Sequence, residues 1–210
     1  MVTEQALPYS QSCENNKTFI AQHLKTLLSG RRQVLEIASG TGQHATFFAD
    51  LVPGVRWQPT ELAANLSVLV PRCESYRGFN LLPPQALDVC IRPWALEIPD
   101  AIFTANSLHI MPFSAVESLF AELGVRAATD TLLVVYGPFN YHGEYTSDSN
   151  ARFDRWLFQQ HPDSAIRDFE KVEQLAGAAG FELQEDHAMP ANNRLLVWRK
   201  SQWALAVPVT

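Results

Sequence analysis

Short apolar runs alternate with apolar residues at helical spacing over most of the chain. A short run bounded by turn residues is typical of a buried strand, and spacing of three and four residues is typical of a helix. Strands that alternate with helices favour right-handed crossovers and a mostly parallel sheet. The predicted elements are a helix at 19–28, strand and helix pairs at 33–38 and 45–51, 55–57 and 62–70, and 101–105 and 114–127, a short segment at 86–89, and a strand at 131–136.

The chain changes character after Tyr136. Residues 137–150 are dense in Gly, Pro, Asn, Tyr and Ser, and loops of this length in compact domains are often functional. We expect residues 137–168 to form an insertion that contacts the substrate. The elements predicted beyond the loop are helices at 153–160 and 169–179 and two strands at 182–187 and 195–198, which flank a turn and form an antiparallel hairpin.

Composition favours one folded domain over residues 1–210, with an N-terminal lid segment and helix at 1–30. Hydrophobic residues make up 47% of the chain and charged residues 18%, which lies outside the range of disordered proteins. The net charge of −6, without a run of Lys or Arg, argues against a nucleic-acid partner. Three widely spaced cysteines without a signal peptide predict a cytoplasmic protein, and no apolar stretch reaches the ~20 residues that span a bilayer.

A glycine-rich motif follows the first predicted strand, at residues 35–44 (LEIASGTGQH). In open α/β sheets, ligands bind beyond the carboxyl ends of the strands, next to the first one. Gly40 and Gly42 allow a sharp turn and a close approach of a ligand to the backbone. The motif lacks the Gly-Lys-Ser/Thr of a phosphate-binding P-loop, but it satisfies the permissive dinucleotide pattern through Ala45.

Acidic residues near this loop favour S-adenosylmethionine (SAM) over a dinucleotide as its ligand. Glu36 lies inside the strand, and a buried carboxylate requires a partner, which the ammonium group of SAM would supply and a pyrophosphate would not. Glu61, about twenty residues beyond the glycines, is placed to accept hydrogen bonds from ribose hydroxyls. Asp88, at the end of a further short segment, is a candidate for the adenine amino group. Each acid alone is as often a helix cap or a solvated charge, so the pocket depends on their combination.

Motifs along nearly the whole chain resemble the methyltransferase-like protein 26 family, also called domain of unknown function 938. The resemblance implies an α/β fold of the Rossmann-like class I methyltransferase type, with a seven-stranded, mostly parallel sheet, helices on both faces and an antiparallel C-terminal hairpin. It also implies SAM at the loop from Gly40 to His44, without indicating a substrate. The residues that carry it are 13–17, 36–44, 57–59, Asn106, His109, Ile110, Pro112, 136–138, Ser149, Asn150, Phe153, Asp154, Arg167, Asp168 and 189–193.

The predicted site has a cofactor part, a catalytic part and a substrate part. We expect a small-molecule substrate, and His109, with Asn106, either accepts a proton from the nucleophile or orients it; the alternative is a packed histidine before Pro112. Arg167 would bind a carboxylate, unless it forms a structural ion pair with Asp168. The expected cofactor-binding residues are Asn16, Glu36, Ala38, Ser39, Gly40, Gly42, His44, Glu61, Leu62, Asp88, Val89 and Asn106, and the expected substrate-binding residues are Tyr9, Asn140, Tyr141, Asn150, Asp154, Arg167 and Asn192.

Two alternatives keep the same SAM pocket. One is an enzyme that cyclises or cleaves the aminocarboxypropyl arm of SAM, and the other is a SAM-binding module without catalysis. No HExxH motif or paired-ligand spacing of the six histidines points to a metal, and no GxSxG elbow points to a hydrolase. The leading prediction is a SAM-dependent methyltransferase that acts on an oxygen, nitrogen or sulfur atom of a small polar molecule, with an undetermined oligomeric state.

Overall fold

A computed structural model describes residues 6–202 and divides into two compact units, Met1–Asp88 and Val89–Thr210. The first five residues of the predicted N-terminal segment lie outside the described residues. Within residues 6–202, no helix is both long and apolar enough to cross a membrane. A single domain over residues 1–210 stays a prediction.

The first unit is a parallel β-sheet arrangement with three helices. Its strands pair in the order β3-β2-β1, and both pairings are parallel. Aromatic packing forms part of the core, where the ring centres of the buried Phe48 and Trp57 lie 5.6 Å apart. The elements are α1 (Gln11–Leu27), β1 (Gln33–Ile37), α2 (Gln43–Leu51), β2 (Arg56–Glu61), a 3-10 turn (Ala63–Asn65), α3 (Leu66–Ser75) and β3 (Gln85–Ala86).

The second unit combines parallel strands with a terminal antiparallel hairpin. Its strands pair in the order β4-β5-β8-β7, and the two-residue β6 pairs with the end of β5. The β4–β5 and β5–β6 pairings are parallel, whereas β8 is antiparallel to both β5 and β7. The elements are β4 (Ala101–Ala105), α4 (Phe113–Arg126), β5 (Leu132–Asn140), α5 (Asp148–Gln160), β6 (Arg167–Asp168), α6 (Phe169–Ala178), β7 (Phe181–Met189), a 3-10 turn (Pro190–Asn192) and β8 (Asn193–Lys200).

Element type is predicted correctly, and most differences lie at the boundaries. Helix α1 begins at Gln11, eight residues before the predicted start, because the Ser10 side chain caps it by accepting a hydrogen bond from the Cys13 N–H. The loop expected at 137–150 is shorter than predicted, because β5 continues to Asn140 and α5 begins at Asp148. Strand β6 is additional to the seven predicted strands.

Candidate functional site

The glycine loop between β1 and α2 has three residues in the left-handed region. Ala38, Gly40 and Gly42 have φ values of 58°, 56° and 75°. A Cβ on the buried Gly42 would lie 3.0 Å from Leu69 Cδ1, so this glycine permits α2 and α3 to approach each other. A Cβ on the exposed Gly40 would meet no atom within 4 Å. Gly40 therefore faces open space, where a ligand can approach the backbone.

Glu61 holds this loop in place. It is a buried residue at the end of β2, and its two carboxylate oxygens accept hydrogen bonds from the backbone N–H groups of Gly40, at 2.9 Å, and Leu62, at 2.8 Å. Each carboxylate oxygen retains a further lone pair, because an ionised carboxylate offers about four acceptor positions. The predicted acceptor role of Glu61 toward ribose hydroxyls thus stays compatible with its role in the loop.

Glu36 is a buried acid that is partnered by an indole. Its side chain is almost fully buried within β1, and its Oε2 accepts a hydrogen bond of 2.7 Å from Trp57 Nε1. Burial raises the pKa of the Glu36 carboxyl to about 7, the negative charge of Glu61 acts in the same direction, and hydrogen bonds from Trp57 and Ser39 oppose it. Glu36 is therefore an acid whose charge is incompletely stabilised by the protein itself. Sequence reasoning did not identify Trp57 as its partner.

Ser39 and Thr60 join the ends of β1 and β2 below the loop. The Ser39 N–H donates to the Thr60 carbonyl at 2.8 Å, and the Thr60 N–H donates to Ser39 Oγ at 3.2 Å. The Thr60 hydroxyl donates to the Glu36 carbonyl at 2.7 Å. Because all of these groups are buried, the two acids stand on a rigid base.

His44 and Asn16 contact each other beside the loop. His44 Nε2 lies 2.6 Å from Asn16 Oδ1, both side chains are buried, and the His44 ring stacks on Phe48 at 5.2 Å. Burial lowers the pKa of His44 to about 4, and the positive charge of Lys17 acts in the same direction. A neutral His44 with this contact fixes α1 against the start of α2, whereas direct contact of either side chain with SAM stays a prediction.

The residues before α1 lie against the glycine loop. The Ser10 N–H donates to Gln43 Oε1, and Arg72 Nη2 donates to the Pro8 carbonyl at 2.5 Å. Arg72 Nε also donates to the Thr41 carbonyl at 3.0 Å, so one side chain connects this segment with the loop. Tyr9, predicted to contact the substrate, is 60% exposed. Arg72 and Gln43 were not among the predicted site residues; Gln43 belongs to the glycine-rich motif at 35–44, whereas no pattern in the sequence singles out Arg72.

The remaining predicted cofactor residues of the first unit follow the ends of β2 and β3. Leu62 is exposed, and its N–H is bound by Glu61. Asp88 is half-buried and follows the two-residue β3. In the second unit, Val89 is buried and its carbonyl accepts a hydrogen bond of 2.8 Å from the Ser118 hydroxyl.

His109 is buried in the second unit, between β5 and α5. Its ring meets Phe153 edge to face at 5.5 Å, and a Cβ on Gly137 would lie 3.5 Å from its Nδ1. Burial lowers the pKa of His109 to about 4, and the nearby charge of Arg167 lowers it further. Asn106, three residues earlier, has a φ of 55°, and its N–H donates to the Tyr136 carbonyl at 2.8 Å. His109 is therefore neutral near pH 7 and packed like a structural histidine.

Arg167 donates hydrogen bonds to three backbone carbonyls. It is buried, and it donates from Nε to the Leu108 carbonyl at 2.9 Å and from Nη2 to the carbonyls of Met111 and Asp163, the latter at 2.8 Å. Asp168 pairs instead with Lys171 at 3.0 Å. The predicted alternative of an ion pair between Arg167 and Asp168 was wrong, whereas binding of a substrate carboxylate by Arg167 stays a prediction.

Four more predicted substrate residues have partners within the second unit. Tyr141 donates through its hydroxyl to Asp186 Oδ2 at 2.9 Å, and its ring stacks on Phe169. The two oxygens of Asp154 accept from the Ile166 N–H and the Tyr145 hydroxyl. These contacts hold Tyr141 and Asp154 in place, and their contact with a substrate stays a prediction.

Asn150 and Asn192 bind the N-terminus of α5 to the turn between β7 and β8. Asn150 Nδ2 donates to Thr146 Oγ1 at 2.9 Å and to the Asn192 carbonyl at 3.1 Å, and Asn192 Nδ2 donates to Ser149 Oγ at 3.2 Å. Asn140 differs from both, because it is 8% exposed and its Oδ1 has no hydrogen-bond partner among the described residues.

Comparison with known proteins identifies the fold. The family described as "Protein of unknown function (DUF938)" matches residues 7–200. An O-methyltransferase family protein from Burkholderia thailandensis superposes with a TM-score of 0.79 at 11% identity, covering 91% of this chain and 57% of that one. Human N-acetylserotonin methyltransferase in complex with SAM gives 0.76 at 15% identity, covering 91% and 53%. An O-methyltransferase family 2 protein from Planctomyces limnophilus in complex with apigenin gives 0.74 at 16% identity, covering 90% and 60%.

These similarities confirm the predicted fold class, a Rossmann-like α/β fold with a mostly parallel sheet and an antiparallel C-terminal hairpin. The chain spans a little more than half the length of the solved structures it matches. At these identities, the likeness concerns the fold alone.

Proposed function

We propose that this chain, which belongs to the DUF938 family of proteins of unknown function, is a methyltransferase that uses SAM to methylate an oxygen, nitrogen or sulfur atom of a small polar molecule. The observation that carries the proposal is the pair of buried acids, Glu36 and Glu61, on either side of an open glycine loop. We also propose that the chain is a member of the methyltransferase-like protein 26 family, which its sequence resembles.

The chemistry of the acids fits SAM better than a dinucleotide. Glu36 keeps a raised pKa because burial is only partly offset by the Trp57 indole, and an ammonium group would complete that compensation. Glu61 has acceptor positions beyond its bonds to Gly40 and Leu62, which suit ribose hydroxyls. A pyrophosphate at the open face of Gly40 would meet two carboxylates, which disfavours a dinucleotide.

The proposed cofactor residues lie in the first unit. Glu36, Ser39, Gly40 and Glu61 would hold SAM in the first unit, with Asp88 toward the adenine. SAM supplies a methyl group activated by its sulfonium, so the protein needs to orient a nucleophile and exclude water.

The buried His109 is better suited to positioning than to proton transfer. A general base works best when its pKa is near the working pH, and burial lowers the pKa of His109 to about 4. Its ring contacts Phe153 of α5, and its Nδ1 would lie 3.5 Å from a Cβ on Gly137 of β5, so it fills the space between these two elements. We therefore assign His109 a positioning role, with the acceptor's proton leaving to solvent.

The proposal is tested by titrating the purified protein with SAM and with NAD in a calorimeter, and by identifying the product made from SAM. We expect binding of SAM, no binding of NAD, and S-adenosylhomocysteine as the product. Methylthioadenosine would instead identify an enzyme acting on the aminocarboxypropyl arm. Binding of NAD without SAM would refute the proposal. Glu36→Gln and Glu61→Gln should weaken SAM binding, while the exposed Glu74→Gln in the same unit serves as the matched control.

A further inference from the structure

Arg72 of α3 reaches across the glycine loop to the residues before α1. A Cβ on Gly42 would lie 3.5 Å from both Cβ and Cδ of Arg72, so the arginine stem packs where this glycine lacks a side chain. Beyond the stem, the guanidinium donates from Nε to the Thr41 carbonyl at 3.0 Å and from Nη2 to the Pro8 carbonyl at 2.5 Å. One side chain therefore binds the loop and the residues before α1 at the same time.

A second contact joins the same two parts of the chain. The Ser10 N–H donates to Gln43 Oε1, which also accepts a hydrogen bond of 3.0 Å from the Thr41 hydroxyl. The N-terminal segment (residues 6–10) is thus attached at two points, through Arg72 and through Gln43. Both attachments involve a residue that flanks Gly42 in the loop.

The N-terminal segment contributes little to the apolar core. Each of residues 6–12 is exposed or half-buried, whereas α1 buries Asn16, Ile20 and Leu24. The attachment of the segment therefore depends chiefly on hydrogen bonds, and segments of this kind open locally while the rest of a protein stays folded. Detachment of residues 6–10 would leave α1 in place.

Arg72 and Glu61 bind neighbouring backbone groups of the glycine loop. Glu61 accepts a hydrogen bond from the Gly40 N–H at 2.9 Å, and Arg72 donates to the carbonyl of the next residue, Thr41. With these contacts, the loop has positive φ values at Gly40 and Gly42, and Gly40 faces open space. The loop conformation that a ligand would meet at Gly40 is therefore the one that Arg72 stabilises.

We propose that Arg72 is a positioning residue that couples the N-terminal segment to SAM binding. SAM at the glycine loop strengthens the attachment of residues 6–10, and the attached segment strengthens the binding of SAM. This inference rests on the proposed use of SAM and adds the part of the chain that controls its retention. Arginine suits the role because its guanidinium presents N–H donors on separate nitrogens in fixed directions.

Hydrogen–deuterium exchange with and without SAM measures the attachment directly, because the Ser10 N–H forms one of its bonds and the Cys13 N–H binds the Ser10 hydroxyl. In the wild type, saturating SAM should slow exchange at these two amides roughly five- to tenfold, which corresponds to about one hydrogen bond. This comparison needs no variant. Arg72→Met keeps an unbranched stem beside Gly42 and removes the donors, so exchange at both amides should rise by a similar factor without SAM.

Calorimetric titration with SAM measures the other side of the coupling. The Kd of Arg72→Met should rise, because the segment is detached more often. Coupling between two equilibria is reciprocal, so this rise should not exceed the factor by which SAM slows exchange in the wild type. Arg77→Met, which changes an exposed arginine just after α3, is the matched control and should leave both measurements unchanged.

Three results would overturn the inference. Exchange at Ser10 that does not respond to bound SAM would show that the segment and the site are independent. Exchange in Arg72→Met that rises equally at Ser10 and along β1 (Gln33–Ile37) would show general destabilisation rather than detachment. An unchanged Kd in Arg72→Met, or a rise above the reciprocal limit, would show that the segment does not transmit the effect of Arg72.

The proposed methyl transfer fails in a different way. SAM that binds and protects the Ser10 amide without yielding S-adenosylhomocysteine would refute the transfer and support the coupling. S-adenosylhomocysteine formed while Ser10 exchange ignores SAM would support the transfer and refute the coupling. Absence of SAM binding in the wild type would refute both.

Discussion

The most informative single substitution is Glu36→Gln. Its amide oxygen can still accept the hydrogen bond of 2.7 Å from Trp57 Nε1, so the core around the site should stay intact. The substitution removes only the negative charge of Glu36, which we propose pairs with the ammonium group of SAM. A hydrogen bond to a charged partner contributes about 1.5–3 kcal/mol, so the Kd for SAM at pH 7.5 should rise roughly ten- to a hundredfold.

The pH dependence makes this prediction specific. Burial raises the pKa of Glu36 to about 7, so the free protein must lose a proton before it pairs with an ammonium. The ionised fraction falls from about 76% at pH 7.5 to about 9% at pH 6.0, and the apparent Kd of the wild type should rise about eightfold over this range. Glu36→Gln has no such proton to lose, and its Kd should stay flat.

Isothermal titration calorimetry at the two pH values, with Glu74→Gln as the control, measures both effects. In wild-type protein, binding at pH 7 should also release protons, which appears as a heat that depends on the ionisation enthalpy of the buffer. Equal pH dependence in wild type and Glu36→Gln, or an unchanged Kd at pH 7.5, would refute the pairing of Glu36 with the ammonium.

Three further predictions concern stability and rate. Glu36 loses its proton near pH 4.5 in the unfolded state but only near pH 7 in the folded state, so the folded state binds more protons between these values. The free energy of unfolding should therefore fall by up to about 3 kcal/mol as the pH rises across this range. Urea titrations of wild type and Glu36→Gln at several pH values test whether this dependence on pH disappears in the variant. Gly42→Ala should lower the free energy of unfolding by about 1–3 kcal/mol, because its φ is 75° and the new Cβ would lie 3.0 Å from Leu69 Cδ1. Gly40→Ala shares the strain of a positive φ, 56°, but its Cβ meets no atom within 4 Å, so it should lose less stability, about 1 kcal/mol, and should also weaken SAM binding; a larger loss of stability at Gly40 than at Gly42 would contradict the open face of Gly40. The profile of kcat/KM against pH should lack an inflection from His109 near its ordinary pKa of about 6.5, and an inflection there that His109→Gln abolishes would restore it as a base.

The fold was predictable because its signals are local and repeated. Strand β4 at Ala101–Ala105 has the predicted bounds, since an apolar run between polar turns specifies a buried strand by itself. The start of α1 was missed because it depends on a cap at Ser10 rather than on apolar spacing. The length of β5 was missed because Gly137 and Pro138 indicate a loop, yet the pairing with β8 and β6 keeps the chain extended to Asn140.

The candidate site was predictable in its residue types and less so in its pairings. Gly40, Glu36 and Glu61 could be selected because backbone freedom and buried acids have few uses at a strand end. The sequence does not indicate their separate roles, because these depend on contacts between distant residues: Glu61 binds the glycine loop, and Trp57 donates a hydrogen bond to Glu36. For polar residues of the predicted insertion at 137–168, such as Arg167, the sequence does not indicate whether the partner is a backbone carbonyl or a ligand.

The bond between Trp57 and Glu36 also gives the protein an optical probe of its own. Indole emission responds to a charge at its N–H, so the gain or loss of the Glu36 proton should change the fluorescence of Trp57. A pH titration of the protein would then report this ionisation without a label, and Trp57→Phe would identify its share of the signal among the five tryptophans. If a cationic ligand draws the proton from Glu36, the same emission change provides a screen for compounds that reach the acid.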